Sequence, residues 1–240
     1  MRTVLVTGAA GLFGSILRDH WAGRYQLRLA DIKAVNSLAA HEQYVPLDIR
    51  DLEHFASACE GIHTVVHLAA YPGDGAEFYN ILLERNIVGA YNAFEAAKRA
   101  GCRRLVFASS IDAVGGYWDD GEIDVDIPVY PRTEYAATKC WGEAVGRIYA
   151  EQHNLSCVCV RLCNPHFDQG GDWSPDDLIS GLTPRDAADL LGRCVDVEDL
   201  DYSVINGISR HERGVLDWRV AHRVLGFVPQ DGSAYPRTSK

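Results

Sequence analysis

The sequence predicts an α/β fold, a doubly wound parallel sheet with helices on both faces. Short apolar, β-rich runs alternate with helical patterns along most of the 240 residues, and such alternation is typical of a parallel sheet. Several runs are apolar at every position, which is the composition of strands covered on both faces. A glycine-rich turn also joins the first strand pattern to the first helical pattern, where a fold of this class binds ligands.

Six strands and six helices are predicted. The predicted strands are Val4–Val6, Leu27–Ala30, Tyr44–Leu47, Thr64–Leu68, Leu105–Ala108 and Ser156–Leu162. The predicted helices cover residues 11–22, 51–59, 77–100, 134–153, 184–194 and 217–224. Thr183 and Asp217 are expected to cap the last two helices through their side-chain oxygens. Pro184 suits the first helical position, and Gly226 suits the end of the final helix.

The turn after the first strand carries three glycines, in the run Thr7-Gly8-Ala9-Ala10-Gly11-Leu12-Phe13-Gly14. In a dinucleotide site the first glycine permits a tight turn, the second lets the backbone approach a pyrophosphate, and the third lets helix and strand pack closely. The helix N-terminus then offers N–H groups and a positive dipole end to the anion. The run predicts a Rossmann-type cofactor site, with a plain tight turn as the alternative. The expected contacts are Gly8, Ala10, Gly11, Leu12, Phe13 and Gly14.

The acidic residue after the second strand indicates which dinucleotide is bound. Asp31 follows Leu27–Ala30 and lies close to the ~20 residues beyond the loop at which a ribose-binding carboxylate is expected. A carboxylate there can hold both ribose hydroxyls of an adenosine, and it would repel a 2′-phosphate. The expected cofactor is therefore NAD rather than NADP.

Further polar and small residues follow the carboxyl ends of the predicted strands, where open α/β sheets place ligands. Asp48 could accept from an adenine amino group, or it could cap the helix near Asp51. The run from His67 to Ala70 would let a cofactor pass closely, or it is a tight strand exit. Asn86 could bridge a helix and the cofactor, or it faces water. The expected cofactor contacts in this set are Asp48, Ile49, Leu68, Ala69, Ala70, Asn86, Ala108, Ser109 and Cys163.

Tyr135 and Lys139 lie four residues apart in the helical pattern 134–153, so they share one helix face. A phenol has a pKa of about 10, and a neighbouring ammonium lowers it by favouring the phenolate. The lowered pKa suits the phenol to act as a general base. Ser110 can hold the reacting oxygen. The predicted chemistry is loss of an alcohol proton to Tyr135 while hydride passes to a nicotinamide. The alternative is an ordinary surface pair.

Composition argues against several classes of function. The formal net charge is -10 and the pI is about 5.3, whereas a nucleic-acid partner normally requires a basic face. No apolar run approaches the ~20 residues of a membrane-spanning helix, and no signal peptide is recognisable. The seven cysteines are scattered and form no CxxC pair. This pattern predicts buried, reduced thiols in a cytoplasmic protein and no metal site.

Together these residues resemble an extended short-chain dehydrogenase/reductase of the NAD-dependent epimerase/dehydratase group, and the run Arg161 to Pro165 adds to the resemblance. It covers nearly the whole chain. It implies that Ser110, Tyr135 and Lys139 are the catalytic residues and that Asn86 completes the polar network beside the cofactor.

The resemblance also implies a division of the chain. Residues 1–162 would form the NAD-binding Rossmann core, and residues 163–240 a small substrate-binding portion packed on it. Family members commonly pair through their two long central helices, here about residues 86–100 and 134–153. The resemblance therefore implies a homo-oligomer.

Within this group the chain is similar to short members that oxidise free sugars, such as the uronate dehydrogenases and the archaeal NAD-dependent glucose-6-phosphate dehydrogenases. Its length, the run Phe107 to Ser110 and the ending Val224 to Asp231 match theirs. Those enzymes usually follow the catalytic serine with Asn-His, which contact the substrate. The expected substrate contacts here are Tyr71, Ser110, Ile111, Asp112, Asn164 and His166.

Two departures from those enzymes concern the charge of the substrate. Ile111 and Asp112 stand in place of Asn-His. The family arginine that pairs with an acidic substrate group is also missing, because residues 167–182 contain no Arg or Lys. A carboxylate or phosphate needs cationic or multiple N–H partners. The sequence therefore favours a neutral sugar or another polyol-like alcohol over a uronate.

The primary expectation is an NAD-dependent oxidoreductase that oxidises a hydroxyl of a sugar or sugar-like substrate, giving a lactone from C1 of a cyclic aldose. One alternative is a nucleotide-sugar epimerase or dehydratase that recycles NAD within one turnover, but the short C-terminal half argues against it. Another is a dinucleotide-sensing regulator without chemistry, against which the Tyr135 and Lys139 pair argues. Net formation of NADH separates the first two.

Overall fold

A parallel sheet forms the centre of the molecule, of which the structure, a computed structural model, describes residues 1–73, 75–118, 122–165, 180–210 and 215–232. The strands are β1 Thr3–Thr7, β2 Gln26–Asp31, β3 Glu42–Pro46, β4 Thr64–His67, β5 Arg104–Ser110, β6 Ser156–Leu162, β7 Asn164–Pro165, β8 Gly181–Leu182 and β9 Tyr202–Gly207. Seven of them form the main sheet in the order β3-β2-β1-β4-β5-β6-β9, and β7 pairs with β8 separately.

Helices cover both faces of the main sheet. The α-helices are α1 Leu12–His20, α2 Leu52–Ala58, α3 Gly89–Arg99, α4 Glu134–His153, α5 Pro184–Asp196 and α6 Arg219–Leu225. A π-helix, Phe78–Val88, leads directly into α3, and a 3₁₀-helix, Ile111–Tyr117, follows β5. In the part of the chain described, no helix is both long enough and apolar enough to cross a membrane.

All six predicted strands are confirmed, and every pairing in the main sheet is parallel. The prediction lacks β9, which pairs with β6 at the edge of the sheet. The helix predicted over residues 77–100 is two helices, because the first part has π-type bonding such as that from Leu82 N to Glu77 O. The domain boundary after residue 162 stays a prediction. Beyond it, β9 extends the main sheet and α5 packs on α1.

Side-chain caps fix where several helices begin. Thr183 caps α5, as predicted. The capping residue of α6 is Trp218 rather than the predicted Asp217, although the Asp217 carboxylate accepts from Arg219 N at the start of the helix. Asp51 caps α2, so the capping alternative for Asp48 is wrong. Thr133 caps α4. This last cap sets the start of the helix that carries the predicted tyrosine and lysine.

Two apolar layers hold the helices on the sheet. Trp21, Tyr25 and Phe227 are buried on the face that α1 and α5 cover, whereas Phe94 and Phe107 are buried on the opposite face. Burying a large apolar side chain contributes about 1.5–3 kcal/mol, so these layers hold the strand ends firmly. All seven cysteines are free thiols, as predicted, and six of them are buried.

Candidate functional site

Two adjoining cavities lie at the carboxyl ends of the central strands. The larger has a volume of about 600 Å³, and the smaller has a volume of about 150 Å³. They share Gly8, Ala69 and Ala70 as lining residues, so they form one cleft. We call the smaller cavity and the glycine turn the β2 end of this cleft, and the part of the larger cavity beside β5 and α4 the β5 end.

The glycine turn brings backbone rather than side chains to the cleft. Gly8 has a φ of +71°, and a Cβ on it would lie 2.9 Å from the backbone N of Ala69. A Cβ on Gly14 would lie 2.6 Å from the Cα of Ala9, so a side chain there would push α1 away from β1. Gly11 precedes α1 and provides no side-chain cap. The first N–H groups of α1 are therefore suited to an anion.

Asp31 lies in the wall of the smaller cavity, where its carboxylate is held by the backbone. Its two oxygens accept from Ala10 N and Lys33 N at 3.0 Å and 2.9 Å. Lys33 itself lines the larger cavity and was not among the predicted contacts. Only its spacing after the second strand could have suggested this position.

Asp48 and Ile49 also line the smaller cavity, together with Arg50 and Arg85, which the sequence did not predict. The Arg50 guanidinium lies 2.6 Å from the Asp48 carboxylate. The hydrogen bond from Arg50 holds the pKa of the Asp48 carboxyl below its usual value. Asp48 is therefore an ionised acceptor at the edge of the cavity.

A dinucleotide fits the cleft as far as these residues define it. Gly8 and Ala69 line both cavities, and a Cβ at Gly8 would lie 2.9 Å from Ala69 N, so only bare backbone is accommodated where the cavities meet. Leu12 and Ile32 line the cleft although 47% and 68% of their surfaces are exposed. Exposed apolar side chains in a concave site are typical of a surface that a ligand covers.

The β5 end brings Ser110, Tyr135 and Lys139 together on the wall of the larger cavity. The Lys139 Nζ donates to Ala108 O at 2.9 Å and lies 5.6 Å from the centre of the Tyr135 ring. The Lys139 side chain is buried, and burial lowers its pKa to about 8. The ammonium and the phenol therefore face the same cavity, as their spacing on α4 predicts.

Ser110 is joined to a carboxylate at the start of the 3₁₀-helix. The Ser110 Oγ donates to an Asp112 oxygen at 2.8 Å and accepts from Asp112 N at 3.2 Å. Asp112, Cys163 and Asn164 line the same cavity. Burial, and then the Asp112 charge, raise the pKa of the Cys163 thiol well above its usual value. That thiol is therefore protonated at neutral pH.

A buried ion pair beneath the β5 end was not predicted. Glu143 lies one turn after Lys139 on α4, and its carboxylate accepts from Ser109 Oγ at 2.6 Å. Both of its oxygens also accept from Arg161, at 2.9 Å each. Ser109 and Arg161 are register partners on β5 and β6. The pair therefore ties α4 to two central strands. The sequence signal that could have indicated Glu143 is its spacing, because Tyr135, Lys139 and Glu143 follow one another at intervals of four residues on one face of α4.

Several predicted contacts do not line the cavities. Asn86 is buried and exchanges two hydrogen bonds with the backbone of Tyr71, at 2.8 Å and 3.1 Å, so its water-facing alternative is wrong. Ile111 is buried in the apolar core. Ala10 does not line a cavity, and its N–H donates to the Asp31 carboxylate. His166 lies outside the described residues.

Tyr71, an expected substrate contact, lines neither cavity, whereas the remaining predicted contacts line the cleft. The described residues contain no group of three or more His, Cys, Asp or Glu that could hold a metal ion. The predicted contacts that line the larger cavity are Gly8, Gly11, Leu12, Phe13, Gly14, Leu68, Ala69, Ala70, Ala108, Ser109, Ser110, Asp112, Tyr135, Lys139, Cys163 and Asn164.

The chain is similar to known proteins over nearly its whole length. The sequence profile of the NAD dependent epimerase/dehydratase family matches residues 4–179. Uronate dehydrogenase of Pseudomonas putida is 31% identical over 96% of this chain and 84% of its own. NAD-dependent glucose-6-phosphate dehydrogenase of Haloferax volcanii is 33% identical over 96% of this chain and 94% of its own. The crystal structure of glucuronic acid dehydrogenase from Chromohalobacter salexigens superposes with a TM-score of 0.89 at 31% identity, over 97% of this chain and 85% of that one.

Proposed function

This chain belongs to the NAD dependent epimerase/dehydratase family, and we propose that it is an NAD-dependent dehydrogenase that oxidises a CH–OH group of a sugar. The observation that carries the proposal is the meeting of Ser110, Tyr135 and Lys139 in a cavity continuous with the glycine turn. The relatives named uronate dehydrogenase and NAD-dependent glucose-6-phosphate dehydrogenase support it.

The β2 end of the cleft would hold the adenosine part of NAD. The Asp31 carboxylate would accept from the ribose hydroxyls, and the N-terminus of α1 after Gly11 would hold the pyrophosphate. Lys139 would hold the second ribose at the β5 end. When bound, NAD supplies the two-electron acceptor for the oxidation.

Tyr135 acts as the general base. The Lys139 ammonium is held by Ala108 O in a buried, weakly polar setting, where its charge acts strongly on the neighbouring phenol. It favours the phenolate form of Tyr135 over the neutral phenol. The phenolate then takes the proton of the substrate hydroxyl.

Ser110 positions the oxygen that loses this proton. Its Oγ lines the cavity with Tyr135, so both hydroxyl groups can reach one substrate oxygen. Hydrogen bonding at this oxygen orients the alcohol and stabilises the charge that develops on it. Oxidation at C1 of a cyclic aldose gives a lactone.

The test is a panel of aldoses with NAD, in which NADH is followed by absorbance. We expect NADH to accumulate, and Tyr135→Phe to lower kcat by about 10²- to 10⁴-fold while the affinity for NADH is unchanged. Tyr79→Phe is the control, because Tyr79 is 71% exposed and lines neither cavity. Full activity of Tyr135→Phe would refute the assigned base. A nucleotide sugar converted without net NADH would favour an epimerase or dehydratase.

The chain is also proposed to form a homodimer through α3 and α4. Tyr91 on α3 and Ile148 on α4 are 44% and 46% exposed, and α3 packs against α4. Exposed apolar side chains on two helices that pack together suit a second copy of the same surface. Light scattering of the chain and of a Tyr91→Lys variant tests this, and a wild-type monomer would refute it.

A further inference from the structure

The β5 end of the cleft contains one carboxylate that the proposed reaction does not use. Asp112 is half-buried and lines the cavity with Ser110, Tyr135 and Cys163. Its charge adds to burial in raising the pKa of the Cys163 thiol. None of the ion pairs between described residues includes Asp112. Its negative charge is therefore left to act on whatever occupies this end of the cleft.

The charges of the described residues around the cavity do not offset Asp112. The two cationic side chains in its lining are Lys33 and Lys139. The buried Lys139 donates to Ala108 O at 2.9 Å, and the proposed function assigns its charge to the phenol and the ribose. Lys33 follows β2, three strands from β5 in the sheet, which at about 4.8 Å per strand is roughly 14 Å away. A carboxylate or phosphate beside Asp112 would therefore meet repulsion there.

Asp112 also shares a hydrogen bond with Ser110. The Ser110 Oγ donates to an Asp112 oxygen at 2.8 Å, and when Ser110 instead donates to the reacting oxygen, as proposed above, that Asp112 oxygen becomes an open acceptor. Asp112 thus presents carboxylate acceptors to the cavity. Sugar hydroxyls donate to such acceptors, whereas an ionised carboxylate or phosphate has no proton to donate.

We infer that Asp112 is a specificity-determining residue that selects neutral sugars over anionic ones at this site. The inference rests on the proposed function, and it names the substrate class. Asp112 accepts a hydroxyl hydrogen bond from a neutral aldose and disfavours a uronate or sugar phosphate of the same ring. Removal of its charge should therefore change the preference between two sugars that differ only at C6.

The experiment compares galactose with galacturonate, and glucose with glucose 6-phosphate, using the full chain and NAD. We expect the wild-type kcat/KM to favour the neutral sugar by about 10-fold or more, and Asp112→Asn to reduce that ratio by about 10-fold. Asp126→Asn is the control, because Asp126 is an exposed carboxylate that lines neither cavity. It should leave the ratio unchanged.

A binding measurement separates this inference from the proposed function. Calorimetric titration of each sugar into the NADH-saturated chain should show that Asp112→Asn weakens the binding of the neutral sugar and not that of the anionic sugar. A wild-type preference for the anionic sugar, or an unchanged ratio in Asp112→Asn, would overturn the inference and leave the dehydrogenase intact. If no sugar is oxidised, the proposed function fails. The calorimetric affinities then decide the role of Asp112. Weaker binding of the neutral sugar alone in Asp112→Asn supports this role, and equal affinities in the variant and the wild type, or no binding of either sugar, refute it.

Discussion

The two ends of the cleft differ in the groups that form them. At the β2 end the backbone of Gly8 meets Ala69 where the two cavities join, and none of the charged side chains in the wall is buried. The β5 end depends on charged side chains that are buried, namely Lys139 and the Glu143 and Arg161 pair. Buried charges oppose folding unless they are paired, whereas backbone turns do not. Substitutions at the two ends should therefore differ in the size of their effect on stability, and removal of the Lys139 charge should differ from the others in sign.

Lys139→Met at the β5 end should have the largest effect, and it should change activity and stability in opposite directions. Burial lowers the folded-state pKa of Lys139 from 10.5 to about 8. Keeping it charged at pH 7 therefore costs the folded protein about 3 kcal/mol. We expect Lys139→Met to raise the free energy of unfolding by up to this amount. We also expect kcat to fall by about 10³-fold, because the phenol loses its neighbouring cation.

The stability gained in Lys139→Met should depend on pH in a defined direction. Between pH of about 8 and 10.5 the unfolded chain holds the lysine proton more tightly than the folded chain, so wild-type stability rises with pH. Lys139→Met lacks this gain, so the difference in free energy of unfolding between the variant and the wild type should shrink over that range. Urea unfolding of both proteins at pH 7 and pH 10 measures this difference. A variant less stable than the wild type at pH 7, or an advantage independent of pH, would contradict the argument.

Much of the β2 end could be predicted from the sequence, because its signals are local. The glycine turn and Asp31 lie in short runs whose spacing reports backbone geometry directly, and both line the cleft. Lys33 was missed because a lysine after a strand is ordinarily solvent-exposed. The hydrogen bonds that hold Asp31 to Ala10 and Lys33 also depend on a turn geometry that spacing does not reveal.

The β5 end was predictable only in part. Helical spacing placed Tyr135 with Lys139, but the partners of Glu143 lie on β5 and β6, which only the sheet register brings beside α4. Ile111 was expected at the substrate and is instead buried in the core. This difference arises because the 3₁₀-helix turns Asp112 to the cavity and Ile111 away from it. Such rotations follow from tertiary packing rather than from local pattern.

Glu143→Gln should have the next largest effect, on stability. Gln retains the shape of the side chain, but it leaves the Arg161 guanidinium buried without a counter-charge, and breaking a buried pair costs about 3 kcal/mol or more. Glu151→Gln is the matched control, because the exposed Arg147–Glu151 pair lies on the same helix and should contribute less than about 1 kcal/mol. Urea unfolding of both variants measures the difference. Equal losses would show that burial does not decide the strength of these pairs.

Gly8→Ala at the β2 end should have the smallest effect on folding and a clear effect on the cofactor. A φ of +71° disfavours alanine by about 1–2 kcal/mol, and the added Cβ would lie 2.9 Å from Ala69 N. Gly23→Ala is the matched control, since Gly23 has a φ of +75° with nothing within 4 Å of its Cβ position. Both variants should lose stability through backbone strain, while Gly8→Ala alone should also weaken NADH binding. Fluorescence titration with NADH measures this, and equal NADH affinity in the two variants would show that the close approach at Gly8 serves packing rather than the cofactor.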